Sequence, residues 1–321
     1  MERIAITGSS GYIGTRLTEA FQQRGCRVLG IDVRPSTAAT VPDEFIQADI
    51  RDGSLHDAIG QFRPDTIIHS AFVVKPIRDV TDMADINRRG TENILSIVEQ
   101  LQPRRFLFLS SATAYGAWPD NPVPMSETWP LRARSEYQYA ADKTELDKSV
   151  AEFAVRNPDV CVSWVRPAIV GGPGMDNYLY RFIFTMPMLA RLDGFDNPLQ
   201  FVHEDDVISA MLKILEAGGR GAYNLGPPNW TLTSEIASLS GRRTISMPFR
   251  LAWLGSWLAW KIRFRLHESP PGLLYFARYP WTVNPNRLQN ELGFQFQFTS
   301  TQTVHQIIAR PKTVRPPASR S

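Results

Sequence analysis

The sequence predicts an α/β fold built on a doubly wound parallel sheet, with a smaller C-terminal substrate-binding region. Two observations carry this. Through the first half, short apolar runs rich in β-formers alternate with stretches of helical period, the order that builds a parallel sheet from βα units. After Gly171 the alternation stops, and Pro, Gly and aromatic residues become dense.

The strand runs are Arg3–Thr7, Arg27–Asp32, Thr66–His69, Arg105–Ser110 and Val160–Arg166. Each is short, apolar and bounded by polar or Gly/Pro signals, as expected of strands covered on both faces. Between them, Tyr12–Arg24, Ser54–Gln61, Met83–Leu101 and Glu136–Arg156 carry the apolar spacing of helices. Downstream, Val207–Glu216 reads as a helix, Ala222–Leu225 as a strand and Thr233–Ser240 as a short helix. The elements divide the chain into a sheet domain at 1–168 and a mainly substrate-binding region at 169–309, of which about 200–225 returns to the sheet. Residues 310–321 hold Arg310, Lys312, Arg315 and Arg320 with prolines and no acid, and read as a flexible basic tail.

Composition excludes several classes. At 321 residues, 43% hydrophobic and 21% charged, the chain is globular rather than disordered, collagen-like or coiled-coil. The net charge of +3 is accounted for by the tail, so the body offers no argument for a nucleic-acid surface. No apolar run approaches the ~20 residues of a membrane-spanning helix. The opening Met1–Gly8 is a strand entering a glycine turn, not a cationic and then apolar leader. A soluble cytoplasmic protein is expected. Cys26 and Cys161 stand far apart among apolar residues, in no metal-ligand spacing, so buried free thiols and no metal are expected.

The first motif with chemistry is Thr7-Gly8-Ser9-Ser10-Gly11-Tyr12-Ile13-Gly14, between a strand and a helix. Gly8 allows the tight turn, Gly11 lets backbone approach a pyrophosphate, and Gly14 lets the helix pack on the strand. The helix N-terminus offers free N–H groups and a positive dipole end to the phosphates. Asp32 closes the second strand; a carboxylate there accepts hydrogen bonds from ribose hydroxyls and repels a 2′-phosphate, which favours NAD. Arg34, two residues on, is a cation within reach of such a phosphate, so NADP stays open.

A second constellation follows the fourth predicted strand. Leu109-Ser110-Ser111-Ala112-Thr113-Ala114-Tyr115-Gly116 lies at a strand's carboxyl end, where parallel-sheet proteins place their chemistry. Tyr139-Ala140-Ala141-Asp142-Lys143 then puts Tyr and Lys on one helix face. A free Tyr, with a pKa of about 10, is too weak a base at neutral pH. A Lys ammonium one turn away, together with a positive nicotinamide ring, favours the phenolate. Tyr139 would then exchange a proton with a substrate hydroxyl or carbonyl while hydride moves to or from the cofactor, and Ser111 would hold the same oxygen.

The spacing TGxxGxxG resembles the extended short-chain dehydrogenase/reductase family, also called the NAD-dependent epimerase/dehydratase family. The resemblance continues through Ala48-Asp49-Ile50-Arg51-Asp52, Ile67-Ile68-His69-Ser70-Ala71 and Asn87-Arg88-Arg89-Gly90-Thr91-Glu92-Asn93. Phe201-Val202-His203-Glu204-Asp205-Asp206 and Tyr223-Asn224-Leu225-Gly226 extend it over roughly residues 3–300. It implies a Rossmann-like sheet in an NAD(P)-binding domain at 1–168, and Ser111, Tyr139 and Lys143 as a catalytic triad. It further implies cofactor contacts from Gly8, Ser10, Gly11, Tyr12, Ile13, Gly14, Asp32, Arg34, Asp49, Ile50, Ala71, Tyr139, Lys143 and Pro167, and substrate contacts from Thr113 and Arg166. A homodimer through Met83–Leu101 and Glu136–Arg156 is implied as well. His69 is expected to support a strand end. Asn87 is expected either to order the active-site backbone or to pack a helix. His203 is expected to cap a helix rather than bind metal.

Departures from the family bear on the reaction. Nucleotide-sugar dehydratases carry an Asp-Glu pair directly after the Ser/Thr; here Ala112-Thr113 stands there, which disfavours dehydration. Ser111-Ala112-Thr113 resembles sugar 4-epimerases, yet the Arg that commonly clamps the diphosphate four residues before the His is Leu199. Arg166, Arg181 or Arg191 would have to substitute. The short insert between Gly171 and Gln200 also favours a less polar substrate. Three readings remain: an NAD(P)-dependent dehydrogenase/reductase, a nucleotide-sugar 4-epimerase, and a non-catalytic cofactor-binding regulator, against which the intact Ser, Tyr and Lys argue.

Phe249–Arg265 carries Leu251, Leu254, Leu258 and Ile262 on one stripe and Trp253, Trp257, Trp260 and Phe264 on another, with Lys261, Arg263 and Arg265 closing the end. A helix apolar nearly all round is expected to bury itself against the domain or a dimer mate. A lid over an apolar substrate and contact with lipid headgroups are the other readings.

Overall fold

The structure is a computed structural model and describes residues 1–35, 40–74, 80–262 and 270–309. Its first half alternates β1 (Arg3–Thr7), α1 (Tyr12–Gln22), β2 (Arg27–Asp32), β3 (Glu44–Gln47), α2 (Leu55–Phe62), β4 (Thr66–His69), α3 (Val80–Leu101), β5 (Arg105–Leu109), α4 (Gln138–Arg156) and β6 (Cys161–Pro167). Together with the strand Gly221–Leu225 they form a seven-stranded sheet, ordered Gly221–Leu225, β6, β5, β4, β1, β2, β3, in which every pairing is parallel.

Alternation along each strand feeds two cores. Ile4, Ile6, Val28, Ile68, Leu107 and Val165 face one side, where α1 and the helix Glu204–Glu216 cover them. Ala5, Leu29, Ile31, Ile67, Phe106, Phe108 and Val162 face the other, under α2, α3 and α4. Each fully buried Ile or Leu contributes about 1.5–3 kcal/mol of transfer free energy, so both faces must be covered, and near-continuous apolar strands result.

The edge strand β3 escaped the sequence reading because its residues alternate between half-buried and exposed, with Phe45 open to solvent. The helix expected at Val207 begins instead at Glu204, because His203 caps it and three acids occupy its first turn. Of the segment expected to return to the sheet, only Gly221–Leu225 joins it; Phe201–His203 pairs with Ile169–Gly171 outside it. Two further strands, Met188–Leu192 and Arg243–Met247, pair in parallel in the second half and were not foreseen.

The tryptophan-rich segment forms the helix Phe249–Lys261. It is not buried all round: Leu251 (62%), Leu254 (48%), Leu258 (46%) and Ile262 (70%) are exposed. The inner side carries Phe249, packed with Leu192 and Leu274, and Trp253 lies against that cluster. Arg263, Phe264, Arg265 and the tail 310–321 lie outside the described residues. Cys26 and Cys161 are free thiols, half-buried rather than fully buried. Among the described residues no helix is long and apolar enough to cross a membrane, and no three His, Cys, Asp or Glu side chains are grouped to hold a metal ion.

Candidate active site

A cleft of about 780 Å³ runs along the carboxyl ends of the strands, from the glycine loop to the aromatic second half. At its first end the backbone leaves β1 through Gly8, whose φ of +74° favours glycine. A Cβ at Gly8 would fall 2.6 Å from the Ala71 backbone nitrogen, so the loop lies directly on the end of β4. A Cβ at Gly14 would fall 2.0 Å from the Gly8 carbonyl oxygen. The third glycine therefore admits the loop itself to the first turn of α1, where sequence alone assigned it to helix–strand packing. Gly11 precedes α1 without a side-chain cap, which leaves the first N–H groups of the helix facing the cleft.

Asp32 is buried at the end of β2, and its carboxylate accepts from the N–H of Ser10 (3.1 Å) and of Arg34 (3.0 Å). The Arg34 guanidinium is largely exposed and stands 3.6 Å from Asp32. Farther along, Asp49 and Ile50 line the same wall; Arg51 holds the Asp49 carboxyl below its usual range.

At the middle of the cleft, Ser111 caps a helical turn at Ala112–Tyr115 and accepts from both the N–H (3.2 Å) and the hydroxyl (2.9 Å) of Thr113. Those two donors leave Ser111 its own proton, and Ser111 works to lower the Tyr139 hydroxyl. Desolvation dominates at Tyr139 and pushes it up to about 12; the Ser111 bond works against that shift. Lys143 is buried one turn on, and its Nζ donates to the Leu109 carbonyl (2.5 Å) and sits 3.5 Å from the Phe72 ring centroid. Burial brings Lys143 down to about 7, against the pull of Asp147 and Asp142. In this arrangement the Lys143 ammonium faces the Leu109 carbonyl and the Phe72 ring.

The cleft collects Gly8, Gly11, Tyr12, Ile13, Gly14, Asp32, Arg34, Asp49, Ile50, Ala71, Ser111, Thr113, Tyr139, Lys143 and Pro167 along one surface. Two expected residues are not on it. Ser10 is half-buried, its N–H serving Asp32 and its hydroxyl donating to the Arg34 carbonyl. Arg166 is buried and held by Asp147 through two nitrogens (2.9 and 2.6 Å), by the Tyr115 hydroxyl and by the Glu127 carbonyl. Four of its five N–H groups are spent on these partners, its fork is already bidentate, and it braces β6 against α4 away from the cleft lining. Arg191 donates to the Gly194 carbonyl and does not line the cleft, whereas Arg181 does.

Supporting residues follow the same logic. His69 is bonded to Thr7 (2.7 Å) and Thr91 (3.0 Å), and burial with the nearby Lys143 charge lowers it to about 3, so it is a neutral brace at the end of β4. Asn87 accepts directly from the Val73 N–H (2.9 Å) and donates to Asp142 (3.0 Å), tying the cleft wall to α4. His203 caps its helix by accepting from the Asp205 N–H (3.2 Å).

Three contributors were not found from sequence. Glu204 is buried and joins Tyr12, Arg16 and the Gly174 N–H, and burial raises its carboxyl to about 7. Tyr137 and Tyr178 line the cleft and bond to each other through their hydroxyls. Their partners lie 192 and 41 positions apart in the chain, beyond any local pattern.

Comparisons with known proteins bear on the family and the fold. The model of the NAD dependent epimerase/dehydratase family matches residues 4–226. A UDP-glucose 4-epimerase of Mycolicibacterium smegmatis is 30% identical over 257 residues, covering 73% of this chain and 80% of that protein. An uncharacterised protein of Mycobacterium tuberculosis is 26% identical over 310 residues, covering 93% and 81%. The crystal structure of a UDP-glucose 4-epimerase from Thermotoga maritima superposes with a TM-score of 0.74 at 18% identity, over 95% of this chain and 97% of that one. A glycine loop on β1, an acid closing β2 and a Ser–Tyr–Lys face thus sit within the matched span, and the chain belongs to the NAD-dependent epimerase/dehydratase family.

Proposed function

We propose that this protein binds NAD in the cleft and carries out hydride transfer at a secondary alcohol or ketone carbon, with Tyr139 exchanging the proton on the substrate oxygen. The observation that carries the reading is that Ser111, Tyr139 and Lys143 face the same cleft whose other end is the uncapped start of α1. The residues fit the cofactor: glycines where a Cβ would strike backbone, free N–H groups for a pyrophosphate, and a buried carboxylate for the ribose. NAD held by these residues would supply the hydride chemistry and a positive charge in the cleft that Tyr139 lines. Ser111 donates to the reacting oxygen, and Tyr139 takes or returns its proton. Burial brings Lys143 down to about 7, and an anion such as a phenolate in the cleft would favour its charged form.

Ala112-Thr113 in place of an acid pair keeps elimination out of the reading. The relative at 30% identity supports a second reading, a sugar 4-epimerase that reoxidises its cofactor within one turnover. The Ser–Tyr–Lys set argues against a non-catalytic regulator.

Fluorescence titration with NADH and NADPH tests the cofactor. NADH is expected to bind at least about tenfold tighter, one charge repulsion of ~1.4 kcal/mol at Asp32. Tighter NADPH binding would transfer the role to Arg34. A homodimer through α3 and α4 belongs to the same proposal; light scattering is expected to give twice the mass of the 321-residue chain, and a monomer would remove it.

A further inference from the structure

The substrate end of the cleft is walled by aromatic and aliphatic groups. Tyr137 packs edge-on to Phe276 (5.5 Å between centroids), and Phe276 edge-on to Trp281 (5.2 Å). The Trp281 indole N–H is spent on the Phe276 carbonyl (3.0 Å), so this residue shows the cleft a ring and no donor. Leu179 and Leu273 continue the wall.

Charge is scarce there. Among the described residues lining that end, Arg181 is the cation apart from Lys143, and Asp176, also lining, stands 3.9 Å from it. A diphosphate brings two negative charges and calls for unmatched guanidinium groups in bidentate reach. Here it would meet a carboxylate beside each guanidinium: Asp176 beside Arg181, and Asp147 locking Arg166 away.

Besides Asp176, Arg181 and Asn177, whose Oδ1 accepts from the Tyr180 N–H (3.0 Å), a tyrosine pair lines the wall. The Tyr137 and Tyr178 hydroxyls bond to each other, and burial keeps both as phenols. Two hydroxyls hold two protons and use one between their oxygens, so one remains to donate. The Tyr137 ring centroid is 5.7 Å from that of Tyr139, which sets this donor in the same part of the cleft as the Tyr139 hydroxyl.

We infer that the substrate is an uncharged, largely apolar alcohol or ketone carrying a second oxygen, which the Tyr137–Tyr178 pair receives, rather than a nucleotide sugar. The inference rests on the hydride-transfer reading above and assigns Tyr178 as a specificity residue.

The test uses the full chain saturated with NADH and follows its tryptophan fluorescence. The probes are decalone, a bicyclic ketone, its diketone decalindione, and uridine diphosphate. Both ketones are expected to bind at least about tenfold tighter than uridine diphosphate, and the diketone tighter than the monoketone. Tyr178→Phe is expected to weaken the diketone about tenfold, the worth of one buried hydrogen bond, and to leave the monoketone unchanged. A purely structural role for Tyr178 would weaken both alike and overturn its assignment. Uridine diphosphate binding as tightly as either ketone, or binding by neither ketone, overturns the substrate class. Failure of the two readings separates cleanly. Interconversion of a nucleotide sugar that is lost in Tyr139→Phe sinks the apolar substrate and keeps Tyr139. Reduction of a ketone that survives Tyr139→Phe does the reverse.

Discussion

Tyr139→Phe is expected to lower kcat at least about a thousandfold while NADH affinity stays within about twofold, on the usual scale of general acid–base catalysis. The ring remains, and with it the edge contact to Phe72 (5.5 Å) and the tilted contact to Tyr137 (5.7 Å). What disappears is the one oxygen able to pass a proton to substrate. Ser111 and position 139 both line the open cleft, so the loss of stability is expected to stay within about 1–3 kcal/mol. The measurement is single-turnover absorbance of the nicotinamide with any turned-over alcohol, beside a fluorescence titration of NADH. Wild-type turnover in the variant would end the proposed mechanism.

The second large effect belongs to the loop. Gly14→Ala places a Cβ 2.0 Å from the Gly8 carbonyl oxygen, and that oxygen is backbone in a turn which itself lies on Ala71. Nothing flexible can give way. Gly8 must move, and with it the N–H groups aimed at the pyrophosphate, so NADH affinity is expected to fall at least ~100-fold. Stability is expected to drop by about 1–3 kcal/mol, the range for overpacking. Gly53→Ala is the matched control: a Cβ there meets nothing within 4 Å. Thermal melts with and without NADH report both quantities. An alanine at position 14 that binds NADH like wild type would remove the loop from the cofactor site.

Much of the sheet was legible because parallel strands buried on both faces need unbroken apolar runs. Arg3–Thr7, Arg27–Asp32 and Thr66–His69 occur with the bounds their composition predicts. Edge strand β3 was not, because half its residues face water and its pattern is no stronger than a loop's. The helix at Phe249–Lys261 shows the same limit from the other side. Its apolar content was plain, but periodicity does not say which stripe the fold covers, and the Leu251–Ile262 stripe is the one left exposed.

What the sequence determined by itself was set by local chemistry: a glycine triplet between strand and helix, an acid closing the next strand, and Tyr and Lys one turn apart. Each is a short-range pattern whose geometry follows from the period of its own element. Tertiary structure alone decided how those groups are spent. Arg166, an open candidate in sequence, is held by Asp147; Lys143 is turned to Leu109 and Phe72; Tyr137 finds Tyr178 in the cleft wall. A side chain's hydrogen-bonding capacity is finite and burial makes every unmet bond costly. Availability therefore depends on partners brought together from distant parts of the chain, and no spacing along the sequence records it.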